Sequence, residues 1–283
     1  MLAKVICIPC YFRQALSSAE YVTSDPEKQR SVLHEVAKLI PRLSLEDTPA
    51  HNSTIVLRAA NRILGVDDPY LEEKTKYNEL ALELYPRLVQ IVKESPNPLE
   101  TASRLSVVGN VIDLGIRAEI NIEATIKQVL TGGFKIDHVS RLLKILGKPR
   151  HVLYVVDNAG EIVFDKLFIE KLIEAGQKVT VAVKSGPILN DATMEDARQV
   201  GLSDITEIVE TGSDWVGVDL PTCSKQFQKL FVTADVVISK GQGNFETIGG
   251  SRPNLFIVLK AKCDAVAKEI GVNFGDLVFL QED

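Results

Sequence analysis

No run of eighteen apolar residues occurs in the 283-residue chain, so a membrane-spanning helix is not expected. The opening residues Met1 to Tyr11 carry no long apolar stretch and no small-residue cleavage site. Lys4 and Pro9 break what there is, Arg13 follows closely, and the chain is expected to be cytoplasmic. Cysteine is scarce: Cys7, Cys10, Cys223 and Cys263 form no disulfide framework, and a chain this long needs none. Cys7-x-x-Cys10 is at most half of a zinc site, which leaves a structural or a redox role for that pair. The four histidines show no metal-ligand spacing. Positive charge is in deficit, with 32 Lys and Arg against 38 Asp and Glu and a net charge of −6. That argues against a broad grip on nucleic acid or an anionic membrane, although a local lysine cluster could still hold a small anion. There is no Walker A sequence, no dinucleotide GxGxxG and no nucleophile elbow. Internal repeats and low-complexity segments are also missing.

What is present divides into two textures. From about Tyr11 to Gly147 the apolar residues recur at helical spacing, as in Val32, Val36, Leu39 and Ile40, or Tyr77, Leu80, Leu84, Leu88 and Ile91. Pro86 inside the second set is expected to kink or break that helix. From His151 short β-branched runs alternate with helical segments. The runs are His151–Val156, Val179–Lys184, Ile205–Val209, Val236–Ser239, Leu255–Leu259 and Leu277–Leu280. Near-continuous apolar strands joined by helices predict a mostly parallel sheet covered on both faces. The expected fold is α/β: an all-helical N-terminal domain over 1–147 and a Rossmann-like α/β/α sandwich over 148–283. Ligands of open parallel sheets bind beyond the carboxyl ends of the strands, so the residues there are the candidates for chemistry.

Asp157 and Asn158 end the first of these strands, and Asp191 follows the next. Carboxylate and amide oxygens are hard ligands that suit Mg²⁺ or Mn²⁺. Each aspartate taken singly could instead be a helix N-cap, which Asp at a strand–helix junction often is. Taken together with the other strand ends they read as metal ligands. Ser239–Glu246 is read as a glycine loop in which Gly241 and Gly243 flank Gln242, able to set N–H groups against an anion with Lys240 adding charge. Lys262, and less directly Lys184, follow apolar strands and could meet a phosphate. Asn110 and Asp113, three apart on a helix among apolar neighbours, either satisfy a core network or face a site.

Three of these motifs resemble a known family. Asp157-Asn158-Ala159-Gly160-Glu161, Pro187–Thr193 and Ser239-Lys240-Gly241-Gln242-Gly243-Asn244-Phe245-Glu246, in that order, are similar to the metal-dependent damage-control phosphatases, formerly a domain of unknown function and related to the acidic-residue methyltransferase 1-like proteins. Cys7-x-x-Cys10 and Gly109–Asp113 resemble its microbial and archaeal branch. The resemblance implies a divalent cation (Mn²⁺, Mg²⁺, Ni²⁺ or Co²⁺) on Asp157, Asn158 and Asp191. It implies substrate contacts from Gly241, Gln242, Gly243, Asn244, Glu246 and Lys262, with Lys240 beside them. Asn110, Asp113, Glu161 and Lys184 are candidates for the surrounding pocket. A related branch with sugar-phosphate specificity has Arg-Thr-x-Lys at the last strand end; here Lys260-Ala261-Lys262 departs from that motif and keeps only the final lysine. The implied activity is hydrolysis of phosphomonoesters of small metabolites: damaged or surplus nucleotides, cofactor precursors or sugar phosphates. Attack on phosphorus comes from water or from Asp157; Ala159 stands where haloacid-dehalogenase-type phosphatases keep a second acid, which favours water. The alternatives are an S-adenosylmethionine-dependent methyltransferase and a non-catalytic metabolite-binding protein. The helical part could also serve oligomerisation, on which composition is silent.

Overall fold

In a computed structural model of the protein, residues 1–111, 122–131 and 133–281 are described. The N-terminal part supplies helices α1 (Cys7–Val22), α2 (Pro26–Leu39), α3 (Pro49–Leu64), α4 (Leu71–Glu94), α5 (Pro98–Leu105), α6 (Val108–Val111) and α7 (Ile122–Leu130). Strand β1 (Phe134–Asp137) and helix α8 (Val139–Ile145) follow. Then come β2 (His151–Val155), α9 (Glu161–Glu174), β3 (Lys178–Val183), α10 (Met194–Gln199), β4 (Glu207–Glu210) and α11 (Lys225–Thr233). The chain ends with β5 (Val236–Lys240), α12 (Gln242–Ile248), β6 (Leu255–Lys260), α13 (Asp264–Ile270) and β7 (Leu277–Gln281).

The seven strands form one sheet in the order β1-β7-β6-β5-β2-β3-β4. From β6 to β4 all pairings are parallel; β7 runs antiparallel to β6, and β1 parallel to β7. Side chains alternate across the sheet as strand geometry requires. Val152, Tyr154, Val181, Ile238, Phe256 and Phe279 face one core with α4, α5 and α9. Leu153, Val155, Val237, Ile257 and Val278 face the other, filled by Phe227 and Phe231 of α11, Phe245 of α12 and Val266 of α13. The result is three layers, as the sequence implies. Helices α1, α2 and α3 pack on each other around a separate small core that includes Tyr11, Val32 and Val56. No helix among the described residues is long and apolar enough to cross a membrane.

The structure also refines several local readings. Phe134–Asp137 adds an edge strand before the sequence shows any β texture, since four residues are too short to display a period. The first large core also takes side chains from both sides of position 147. Pro86 does not end its helix: α4 runs through it to Glu94. Gln242–Ile248 is helical, because burial of Asn244, Phe245 and Ile248 outweighs the glycines. Only Gly241, with φ of +87°, makes the turn into that helix. Asp113 and the side chain of Asn110 lie outside the described residues.

Candidate active site

Strand β2 is central. From it the chain moves outward through β3 and β4 on one side, then returns to place β5 on the other. Between the carboxyl ends of β2 and β5 lies the point where strand order reverses, the usual ligand crevice of such sheets. Asp157 leaves β2 there, and Gly241 leaves β5. A Cβ on Gly241 would collide with the Asp157 carboxylate, so a glycine is what lets the two strand ends meet.

The Asp157 and Asp191 loops are laced by backbone bonds: Ala192 N donates to Asp157 O (2.8 Å) and Ala159 N to Asn190 O (2.9 Å). Asn158 and Asp191 pair as an isolated antiparallel bridge. Neither aspartate caps a helix. Gly160 occupies the N-cap of α9, and Thr193 that of α10, where the Asp196 carboxylate accepts from the Thr193 N–H and hydroxyl at 2.8 Å each. The cap reading is thereby removed for both. Asn158 Nδ2 donates to Asp157 Oδ2 (2.7 Å) and reaches Glu161 Oε2 (3.4 Å). Although Asp157 opens onto a cavity, protein surrounds most of its carboxylate. Desolvation, then the charges of Asp191 and Glu161, push its pKa well above the ordinary aspartate value. Asp191 is also raised by desolvation, against the pull of Lys184.

That cavity has a volume of about 450 Å³. Its lining includes Asp157, Asn158, Asp191, Gln242, Gly243 and Lys262. Glu246 joins them at 7% exposure, its carboxylate accepting from Gln242 Nε2 (2.9 Å) and from the Ala50 N–H. Desolvation raises the Glu246 pKa to about 7. The start of α1 contributes Ile6, Cys7, Cys10, Tyr11, Arg13 and Gln14 to the same lining, with Cys7, Cys10 and Tyr11 close enough to Glu246 to feel its charge. Cys7 and Cys10 are free thiols whose pKa values burial raises, which makes them poor nucleophiles at neutral pH.

A search of family models matches residues 4–278 to the damage-control phosphatase ARMT1-like domain. The chain belongs to the ARMT1-like damage-control phosphatases. Damage-control phosphatase PH1575 of Pyrococcus horikoshii is 35% identical over 280 residues, covering 97% of this chain and 96% of that protein. Uncharacterized protein MJ0202 of Methanocaldococcus jannaschii is 36% identical over 289 residues, covering 97% and 94%. The crystal structure of PH1575, described as a DUF89 family protein, superposes with a TM-score of 0.91 at 34% identity and full coverage of both chains. These likenesses carry the phosphatase reading and lend no support to the methyltransferase alternative.

In this ARMT1-like phosphatase the expected site residues do not all reach the cavity. Lys240, expected beside the substrate, is fully buried. Its ammonium donates to Glu161 Oε1 (2.5 Å), Asp165 Oδ1 (2.7 Å) and Ser106 O (2.9 Å), on the α9 side of the sheet. The reason is strand alternation: Lys240 lies two residues beyond Ile238, which faces the α9 layer. Glu161 is buried with it. Lys184 is 5% exposed, donates to Trp215 O (2.7 Å) and Gly217 O, and stands 3.5 Å from Asp191 Oδ2. It steadies the segment Trp215–Gly217, whose Val216 and Gly217 line the cavity. Asn244 donates to Lys240 O (2.7 Å) inside α12 and is buried. Missing from the sequence reading are Tyr11, Arg13, Gln14, Asn190 and Val216. For α1 a signal existed: Cys7, Cys10, Tyr11 and Gln14 follow the i, i+3, i+4, i+7 stripe of one helix face.

Proposed function

We propose that the protein is a divalent-metal-dependent phosphatase that hydrolyses phosphomonoesters of small metabolites, with the cation held by Asp157, Asn158 and Asp191. The observation that carries this is the meeting of two carboxylates and an amide on the lining of a cavity beyond the β2 and β5 strand ends. Their chemistry fits a hard cation: the donors are all oxygen, and Asp157 is raised in part by its neighbour's charge, a repulsion that a cation relieves. When bound, the cation supplies Lewis-acid neutralisation of the phosphate charge.

The protein's own groups do the rest. Lys262, at the cavity wall, lends a positive charge to the phosphate oxygens. Gln242 and Gly243 open α12, where first-turn N–H groups lack partners within the helix and can bind the same oxygens. Water attacks phosphorus, the bond from phosphorus to the ester oxygen breaks, and the departing alcohol takes up a proton. Asp157 orients the reacting groups. Glu246, with a pKa of about 7, can hold a proton in the cavity at neutral pH.

The test is release of p-nitrophenol from p-nitrophenyl phosphate by metal-stripped protein, with Mg²⁺, Mn²⁺, Co²⁺ and Ni²⁺ added back singly. Wild type is expected to recover activity with at least one cation, and Asp157→Ala and Asp191→Ala to lose it by on the order of 10²-fold or more. Near-normal turnover by either variant would sink the ligand assignment.

A further inference from the structure

The groups assigned to the phosphate explain only part of the cavity lining. The stripe Cys7, Cys10, Tyr11 and Gln14 of α1 also lines it, with Arg13 beside it. Two features of this wall have no explanation within the protein. Gln14 Oε1 is buried and has no hydrogen-bond partner, although a buried acceptor is ordinarily paired. Arg13 is exposed at the cavity, forms no ion pair among the described residues, and is near enough to Cys10 to lower that thiol's pKa. Among the described residues Arg13 and Lys262 are the two cations that line the cavity, in a chain of net charge −6. A volume of about 450 Å³ also exceeds what phosphate alone would fill, and pockets of roughly 300–1,000 Å³ hold drug-sized ligands.

We propose that the α1 wall reads the alcohol part of the substrate, and that this part carries a second anionic group, bound by Arg13, together with a hydrogen-bond donor met by Gln14 Oε1. The proposal rests on the phosphatase reading for the phosphate contacts alone. It assigns the substrate class as phosphomonoesters with a remote carboxylate or second phosphate, in place of neutral-bodied sugar phosphates. Arg supplies a forked donor matched to either anion. Ile6 and Phe274, both largely exposed at the cavity, would flank the body between the two charges.

A minimal pair of probes tests it. Gluconate 6-phosphate and sorbitol 6-phosphate share an open six-carbon polyol and differ by a terminal carboxylate. Wild type is expected to favour the gluconate compound in kcat/KM by on the order of tenfold, as a charge-assisted hydrogen bond would give. Arg13→Gln should collapse that ratio, and Arg13→Lys should restore part of it. Gln14→Met should weaken both compounds without altering the ratio. The same pair is titrated by calorimetry into metal-free wild type and Arg13→Gln. Preference in binding without turnover of any phosphomonoester would uphold the α1 assignment and refute the phosphatase reading. Turnover with equal preference, or a ratio untouched in Arg13→Gln, would overturn the α1 assignment and leave the phosphatase reading standing.

Discussion

At the scale of single residues, the site depends on charges kept out of water. Glu246 has the clearest consequence. Its pKa rises from the ordinary 4.5 to about 7 on folding, mainly through desolvation. A carboxyl raised in this way favours the fold where it is protonated. Its contribution is full below pH 4.5 and is lost as pH climbs through 7, a change of roughly 3 kcal/mol. Urea unfolding of metal-free protein between pH 4.5 and 8 should therefore show a smaller fall in stability for Glu246→Gln than for wild type. Asp157 and Asp191 contribute to both curves alike, so coincident curves would refute the role given to Glu246. Residue placement was legible in the sequence where it followed a strand end: Asp157, Asn158, Asp191, Gln242 and Lys262 all reach the cavity. It was not legible for Lys240. One lysine at the end of an apolar strand looks the same whether it faces solvent or two buried acids, and the acids lie 79 and 75 positions away.

At the scale of elements, helix α4 and the Asp157 loop are joined through one side chain. Asn78, fully buried, accepts from the Gly160 N–H (2.7 Å) and donates to Asp196 Oδ1 (2.9 Å) and Gln199 Oε1 (2.7 Å). It thus ties the start of α9 and both turns of the short helix α10 to a helix of the N-terminal part. Asn78→Ala is expected to cost about 2–4 kcal/mol, from one freed N–H and two unpaired acceptors. It should also lower kcat on p-nitrophenyl phosphate, because the turn carrying Asp157 and Asn158 loosens. Leu88→Ala, a truncation in the same helix of comparable cost at about 2–5 kcal/mol, should leave kcat alone. Equal effects of the two substitutions on kcat would show that Asn78 acts only through stability. Strands β2, β3, β5 and β6 were readable because buried parallel strands are near-continuous apolar runs. The helix at Gln242 was hidden by its glycines, and β1 by its length.

For the whole molecule, two cohesive units share the cavity. Helices α1–α3 have their own core, and polar contacts help to join this N-terminal segment to the rest. Met1 N donates to Glu246 O (2.7 Å), Lys4 pairs with Glu269 (2.7 Å), Arg58 with Asp214, and Val216 N donates to Thr54 Oγ1 (3.0 Å). Ala50, Leu57, Ile188 and Val216 add a small apolar cluster, and His51 stacks on Trp215 with ring centroids 4.4 Å apart. Hydrogen exchange is expected to show α1–α3 amides opening at least about 1 kcal/mol more easily than those of β2 and β5. A single opening free energy for all would contradict this division. The position of β5 has one more consequence, felt while the chain is being made. β2 is complete at residue 155, but the strand that covers its open edge begins at residue 236. At roughly 5–20 residues per second the ribosome takes about 4–16 s to supply it. For that interval the future centre of the sheet is an exposed hydrophobic edge, and Glu161 and Asp165 wait for the lysine that neutralises them.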